Sequence, residues 1–599
     1  MKTSTLLPSR KSTFLPAEET VPTCAEKLLE SASAALRAYP LPLPFRKKDC
    51  TCGCAGADGS FWLGAPNGLT WLRPNAPDKR DRVWFFSAPR DLPGSTVTAV
   101  APTSRSEHIY DAVTVQTDKG SARIEIAELT GDEKANLLLE ESRRTVDRRG
   151  MMSGKGLQEP RALDKPLPYH ECDNDGDFGC GFAIAEILHY ATLKRELGEN
   201  HPETRRIRAI ATRTAEAMLL LMWIPCRGDG FVARTYLTPD EPIPDGWFFR
   251  KMGDGTSEVV DTPRAVRAGR AGLRIPCPEQ VPARLAKLYT DLGYTEKGLV
   301  YKGDTSSDET TLHFAHLWFV QKHLAEGDPE LGALAYNRLQ ALTRHIITHG
   351  FEMHDAFGKP TTWAKWSPAY FTWPSFGWAD APNNAAEILM YLRVAMDVAA
   401  ERGDAVFRLE AEEAYTYLLS KGYARLTTLH HDRFIQTAAI EGLDLVEHIM
   451  FGDHMLATMA FWLLITLEPE EDLKAVYREG FASWRSSIGR EFNPGYDFPY
   501  ILATGADTGV DYTYWFARSP LSRLTADADI ESRRDLARRK YKGGYIETAH
   551  LLPDDERFIA KYDRNPRRWQ GSRGECFCES CYVYTFAWWI GRYYGIIEN

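Results

Sequence analysis

The sequence predicts a mainly α-helical chain whose helices form an (α/α)6 toroid, preceded by a small antiparallel β region. After Ala127, long segments repeat apolar residues at intervals of three and four and come in pairs, as amphipathic helices do. Long segments rich in glycine, proline, tryptophan and acidic residues separate the pairs, and loops of that length are usually functional. Paired helices joined in this way are typical of a toroid in which inner and outer helices alternate.

Three regions follow one another along the 599 residues. Residues 1–48 mix proline and serine with a short helical segment, and we interpret them as an arm. Residues 49–127 alternate apolar and polar residues around glycine turns, which predicts a β domain of about five or six strands. Within it, DGSFWLGAPNGLTWL resembles one blade of the sensor-type β-propellers. Residues 128–599 form the predicted helical domain.

The helical domain contains segments with a clear helical period. They cover residues 179–196, 203–224, 308–324, 330–349, 384–402, 406–421, 453–467, 471–486 and 582–594. In a toroid the inner helices begin at the same end, so we expect the polar segments before them to converge on one rim.

Composition excludes some classes of function. The formal net charge of −10 argues against nucleic acid, whose phosphates select a basic surface. The N-terminus lacks the apolar run of a signal peptide and no stretch approaches about 18 apolar residues, so we expect a cytoplasmic protein without membrane contact. The oligomeric state stays open.

Six of the 11 cysteines form two tight groups. These are Cys50, Cys52 and Cys54, and Cys576, Cys578 and Cys581. One CxxC spacing suits a metal, whereas the CxC spacings are unusual for zinc. We expect reduced thiols and no cofactor, with a structural metal as the alternative if the two groups meet.

Acidic residues before the inner helices are the main catalytic candidates. YKGDTSSDE carries more carboxylates than helix capping needs, and ECDNDGD precedes the first long helix. The catalytic candidates are Asp308, Glu309, Asp173, Asp175, Asp453 and His454. The candidate substrate-binding residues, which include indoles suited to sugar rings, are His170, Glu171, Lys302, Asp304, Trp363, Lys365, Trp366, Trp373, Asn384 and His448.

These motifs also carry a family resemblance. KGDTSSDE and GKPTTWAKWSP, within residues 55–599, resemble a bacterial family of α/α-toroid proteins similar to the (α/α)6 glycoside hydrolases and polysaccharide lyases. The resemblance implies a glycan-active fold and an oligosaccharide or polysaccharide partner. HIMFGDH departs from the acidic HSDDE-type stretch of that family, and CFCESC replaces its glycine-rich loop.

Three functions remain open. Glycoside hydrolysis needs an acid and a second carboxylate, for which we favour Asp308 or Glu309 as acid and Asp173 or Asp175 as base. A lyase would need a base beside a uronic acid, with candidates Tyr169, His170, His448, His454 and cationic groups such as Arg485. The altered loops favour a third function, glycan binding without catalysis. Carboxylates predominate in the most specific motifs, so we prefer the hydrolase.

Overall fold

The structure, a computed structural model, describes residues 5–16, 36–37, 39, 42–167, 173–372, 376–429, 451–488, 492–528, 532–536, 538–540, 546–548, 552–557, 568–569 and 575–598. Helix accounts for 47% and strand for 18%, which confirms a mainly helical chain with small antiparallel sheets. No helix within these ranges is both long and apolar enough to cross a bilayer.

The N-terminal region contains more strands than predicted. Two four-stranded antiparallel sheets have the orders β1-β8-β7-β6 and β2-β3-β4-β5. The strands are β1 (Leu7–Phe14), β2 (Cys52–Ala55), β3 (Phe61–Ala65), β4 (Gly68–Leu72), β5 (Val83–Phe86), β6 (Val97–Pro102), β7 (Ile109–Thr117) and β8 (Gly120–Leu129). The second sheet keeps chain order, as a propeller blade does. Its core contains Trp62 stacked on Trp71, with ring centroids 5.2 Å apart.

The predicted arm contributes a strand to this region. β1 pairs with β8 in continuous antiparallel register from Leu7 opposite Leu129 to Phe14 opposite Ala122. Its hydrogen bonds therefore attach the start of the chain to the strand that leads into the helical domain.

A buried charge network ties β1 to the far end of the chain. The Arg10 guanidinium donates to Asp555 at 2.8 Å and to Glu556 at 3.4 Å. Arg518 reaches the same two carboxylates at 3.0 and 2.6 Å. All four side chains are buried, so each charge depends on its partners rather than on water.

Six helices of the second region contact one another in a closed circuit, in which each contacts the next along the chain and the last contacts the first. They are α2 (Asp175–Leu197), α6 (Ser307–His323), α9 (Phe376–Arg402), α12 (Phe451–Leu467), α14 (Pro494–Thr504) and α16 (Tyr582–Tyr593). Most of their described side chains are buried on all sides, as expected of helices enclosed by others.

A second set of helices packs against this circuit. The set comprises α1 (Gly131–Thr145) on α16, α3 (Pro202–Trp223) on α2, α7 (Pro329–Thr348) on α6, α10 (Ala405–Ser420) on α9, and α13 (Glu471–Ile488) on α12. The short α15 (Tyr512–Ala517) packs on α14 through Tyr512 and Phe498, whose ring centroids are 4.8 Å apart. Every helix predicted from periodicity is present, most with ends within a few residues of the prediction.

Short strands and helices occupy the connecting segments. The remaining helices are α4 (Pro263–Arg267), α5 (Ala283–Thr290), α8 (Pro368–Thr372) and α11 (Tyr423–Leu426). One five-stranded sheet, absent from the prediction, has the order β10-β14-β11-β12-β13 and comprises β10 (Tyr236–Leu237), β11 (Phe248–Lys251), β12 (Thr256–Val259), β13 (Arg274–Pro276) and β14 (Val300–Lys302).

Three smaller sheets complete the architecture. They are formed by β9 (Gly154–Leu157) with β17 (Leu524–Ala526) and β21 (Cys576–Glu579), by β15 (Glu352–His354) with β16 (Pro360–Lys365), and by β18 (Arg538–Lys540), β19 (Ile546–Thr548) and β20 (Arg568–Trp569). β21 of the first of these sheets leads into α16, and β14 of the five-stranded sheet leads into the start of α6, so strands position the N-termini of both helices.

Candidate active site at the start of two helices

The N-termini of α2 and α6 lie against each other. Gly176, in the first turn of α2, faces Glu309 in the first turn of α6. A Cβ atom added at Gly176 would lie 2.7 Å from Glu309 Cγ and 3.3 Å from His313 Nε2. Glycine is therefore what allows the two helices to approach so closely, and it brings the two acidic segments of the sequence together.

Asp175 has a structural environment. Its buried carboxylate accepts from Arg148 Nη1 at 2.7 Å, from Ser153 Oγ at 2.6 Å and from the Thr235 hydroxyl. These donors hold the carboxylate away from solvent, which corrects the expectation that Asp175 activates water. The preceding acid, Asp173, is the one that remains accessible.

Asp173 lies among cations. Half of its side chain is exposed, and its carboxylate pairs with Lys302 Nζ and with Arg234 Nη1, the latter at 3.5 Å. Lys302 also lies 3.8 Å from Asp304. Because Lys302 and Arg234 are largely buried, their charges are little screened by water, which strengthens their attraction for the Asp173 carboxylate.

Glu309 has the opposite environment. It is fully buried, and its Oε2 accepts from Ser306 Oγ at 2.7 Å. The same oxygen forms an ion pair with Arg234, whose Nε lies 3.2 Å away and donates its hydrogen to the backbone oxygen of Asp173. Oε1 has no hydrogen-bond partner among the described residues. Burial raises the pKa of Glu309 to about 7, because the cost of desolvating its charge exceeds the lowering by Arg234, and Asp308 adds to the rise.

Two neighbours of Glu309 depart from simple helix capping. Ser306 occupies the N-cap position of α6, yet its side chain makes no capping bond and orients the Glu309 carboxyl instead. Asp308 is half-buried and accepts from Ser307 Oγ at 3.3 Å. The acids of this segment therefore do more than cap the helix.

The tryptophans predicted to stack on sugar rings lie in different environments. Trp363 on β16 is half exposed, whereas Trp366 is fully buried and its indole nitrogen donates to Glu387 at 2.8 Å. Trp366 therefore belongs to the core, which corrects its assignment to sugar stacking. Asn384 is also buried, and its amide donates to the backbone oxygen of Lys365 at 2.9 Å.

Other predicted site residues lie away from the starts of α2 and α6 or outside the described residues. His454 is buried edge-on to Trp484, with ring centroids 5.0 Å apart, and burial lowers its pKa to about 3. A neutral enclosed imidazole is unsuited to the role of solvent-facing base. Arg485 pairs with Asp497 at 2.9 Å. Tyr169, His170, Glu171, Trp373, His448 and the side chain of Asp453 lie outside the described residues.

The two cysteine groups lie in separate cores. Cys52 and Cys54 pack in the β core, with Cys50 at its margin, while Cys576, Cys578 and Cys581 pack in the helical core. The six thiols therefore do not form one metal site. Burial raises the pKa of Cys578 and of Cys581 to about 12, which keeps both protonated near neutral pH.

Some residues of the site were not anticipated from the sequence. Arg234, which contacts both Asp173 and Glu309, precedes β10 in a segment predicted to be a loop. A metal-compatible group formed by Cys180 of α2 with His313 and His316 of α6 was also missed. Both histidines lie within an apolar helical run, where the sequence favours ordinary core positions.

Comparison with known proteins gives distant matches. A Zn-binding triple mutant of the GH family 9 endoglucanase J30 matches with a TM-score of 0.28 and 12% identity, over 91% of this chain and 99% of that one. Another structure of the GH family 9 endoglucanase J30 matches with a TM-score of 0.27 and 12% identity, over 81% of this chain and 88% of that one. TM-scores this low do not establish a common fold. No family model matches the chain, and no curated protein does.

Proposed function

We propose that the chain is a glycoside hydrolase that cleaves an oligosaccharide or polysaccharide where α2 and α6 begin. The closed circuit of six helices with a second layer around it supports an (α/α)6 toroid, with this site at one rim. The motif resemblance to glycan-active toroid proteins supports the same substrate class.

One observation carries the proposal: a single guanidinium contacts two carboxyl groups in unlike environments. Arg234 lies 3.5 Å from the exposed Asp173 carboxylate and 3.2 Å from the buried Glu309 carboxyl. Carboxyl groups whose surroundings separate their pKa values are the usual acid and base pair of glycosidases. Here burial raises the pKa of Glu309 to about 7, while Asp173 is half exposed and paired with Lys302 and Arg234.

The roles follow from these two environments. Glu309 donates its proton to the glycosidic oxygen, and Asp173 acts as the second carboxylate, as base toward water. Glu309 has no exposed surface, so a glycosidic oxygen can reach its carboxyl only after the groups that cover it move apart. Asp308, half-buried and adjacent in sequence, is the other candidate acid.

The test is reducing-sugar release from a panel of neutral and uronic-acid-containing polysaccharides. We expect Glu309→Gln to lower kcat by about 10²–10⁴-fold, the usual contribution of a general acid, and Asp173→Asn to lower it strongly. Glu330→Gln is the control, because that side chain is 70% exposed at the start of α7. Circular dichroism checks that each variant is folded.

The Asp308→Asn variant and a pH series separate the two candidate acids. If Glu309 is the acid, kcat of the native chain falls as pH rises through about 7, and Asp308→Asn retains this limb. Near-native activity in both Glu309→Gln and Asp308→Asn would remove the segment from catalysis. Appearance of unsaturated uronide absorbance without hydrolysis would assign a lyase, and affinity without turnover would assign a binding protein.

A further inference from the structure

Below the acidic rim, three potential metal ligands face one another between α2 and α6. Cys180 is contributed by α2, and His313 and His316 by α6. Taking one donor atom from each, the three atoms lie within 4.8 Å of one another, and all three side chains are buried. Residues three apart on a helix share one face, so both imidazoles are directed from the same side of α6.

The polar atoms of this cluster are poorly satisfied by the described part of the protein. Neither nitrogen of His316 has a hydrogen-bond partner there, and Nε2 of His313 also lacks one. Buried polar groups are normally paired, since leaving one unpaired is costly. Among the described residues the His316 ring is therefore wholly unpaired, and one of its nitrogens is free to give a lone pair to a ligand, beside the Cys180 thiol and the His313 Nδ1 atom that this thiol contacts.

The measured separation fits a shared metal ion. Cys180 Sγ lies 3.6 Å from His313 Nδ1. Zinc bonds of about 2.3 Å to sulfur and about 2.0–2.1 Å to nitrogen, meeting at a tetrahedral angle, place these donors about 3.6 Å apart. The two remaining pairs, which both involve His316, lie within 4.8 Å, and a small rotation of the His316 side chain would bring them to the spacing that a shared ion requires.

We propose that Cys180, His313 and His316 bind a zinc ion that joins α2 to α6. A thiolate with two imidazoles favours zinc over calcium or magnesium, which prefer oxygen ligands. Water completes the tetrahedral coordination at the fourth position. Binding converts the Cys180 thiol to a thiolate and releases its proton to solvent.

The protonation of the free side chains is compatible with this exchange. Burial lowers the pKa of both His313 and His316 to about 3, so both imidazoles are neutral and keep a lone pair for the metal. Burial raises the pKa of the Cys180 thiol well above its ordinary value. Metal uptake must displace that proton, so uptake is weaker at acidic pH.

The ion would fix the geometry of the acidic site above it. Gly176, Glu309 and His313 lie close together where the two helices meet. A bond from the metal to each helix would hold Asp173 and Glu309 at a constant separation. The zinc site is independent of the carbohydrate proposal, because its argument uses only the geometry and surroundings of Cys180, His313 and His316.

The test uses the full chain expressed in cobalt-supplemented medium, because a buried site is loaded during folding. After dialysis against a weak chelator, we expect about one cobalt ion per chain, with visible ligand-field bands of tetrahedral cobalt and a thiolate charge-transfer band. Cys180→Ser and His316→Gln should each lose the bound ion and both sets of bands. Neither readout involves a sugar, so failure of the hydrolase assay leaves the result intact.

Two matched controls identify nonspecific loading. Cys226→Ser removes another buried thiol, and His323→Gln removes another histidine of α6, and both variants should retain the ion. If Cys180→Ser does not fold, His316→Gln alone decides, with its fold verified by circular dichroism. Absence of cobalt from the native chain, or its retention in a folded His316→Gln variant, would overturn the site.

Discussion

Replacing Glu309 with glutamine should change how stability depends on pH. The substitution keeps the size of the side chain but removes its titration. In the folded chain burial raises the pKa of Glu309 from the ordinary value of 4.5 to about 7. At about 1.36 kcal/mol per pH unit, this difference corresponds to about 3 kcal/mol of stability.

The sign follows from which state holds the proton. Below pH 4.5 both the folded and the unfolded chain keep Glu309 protonated, and the stabilising contribution is fully present. Between 4.5 and about 7 the unfolded chain releases its proton while the folded chain retains it, so rising pH favours unfolding. Above about 7 the contribution is lost. Native stability relative to Glu309→Gln should therefore fall by about 3 kcal/mol over this window.

Urea unfolding of both proteins from pH 4.5 to 8, followed by tryptophan fluorescence, measures the difference. Groups unaffected by the substitution titrate alike in both proteins. Subtracting the free energy of unfolding of the variant from that of the native chain at each pH therefore isolates the contribution of Glu309. An infrared carboxyl band present in the native chain at pH 6 and absent from the variant gives an independent readout. A difference that stays constant with pH would show that Arg234 keeps Glu309 ionised, and the proton-donor role would then fail.

The remaining predictions concern the indoles and the buried ion pair. Trp363→Ala should weaken sugar affinity about tenfold with little change in melting temperature. The affinity is measured by titration calorimetry in the Glu309→Gln background, with the polysaccharide that the native chain cleaves best. Trp366→Phe should leave sugar affinity unchanged but lower the free energy of unfolding by about 1–3 kcal/mol, because Glu387 loses a buried donor. A weakened sugar affinity would instead return Trp366 to the group of sugar-stacking residues. Asp175→Asn should cost about 1–3 kcal/mol in urea unfolding, since Arg148 and Ser153 lose a buried charged acceptor while Arg148 keeps Glu241 at 3.1 Å, and a near-native midpoint would contradict that.

The helices were predictable because their signal is local. Segments such as 203–224 and 330–349 repeat apolar residues at a period that only a helix places on one face, and the structure contains both. The five-stranded sheet was not predictable in this way. Its strands are two to four residues long, and β14 pairs with β10 across a long intervening segment, so no window of sequence contains the pattern.

The sequence predicted which residue types form the candidate site, but not which of their side chains face solvent. Asp173, Asp308 and Glu309 stood out as excess acids, and the structure brings their two segments together. Asp175 has the same spacing signal as Asp173, yet it faces Arg148 and Ser153 rather than solvent. The direction of the side chain depends on the connecting segments packed opposite, which carry Arg148, Ser153 and Thr235 and which the local sequence does not encode.

The metal-compatible group illustrates the same limit. Cys180 and His313 are 133 positions apart, and each taken alone is an ordinary core residue. Only the contact between α2 and α6 brings their donor atoms close enough to bind one metal ion.

The buried charges on β1 constrain the order of events during synthesis. Arg10 leaves the ribosome early, but Asp555 follows 545 positions later. Until then the guanidinium can pair with Asp91 but with neither Asp555 nor Glu556, and burying it with these two carboxylates missing would be costly. We therefore expect the first strand to complete its docking late, or to wait in contact with water. A ribosome stalled before Asp555 should hold a nascent chain whose N-terminal strand is readily cleaved by protease.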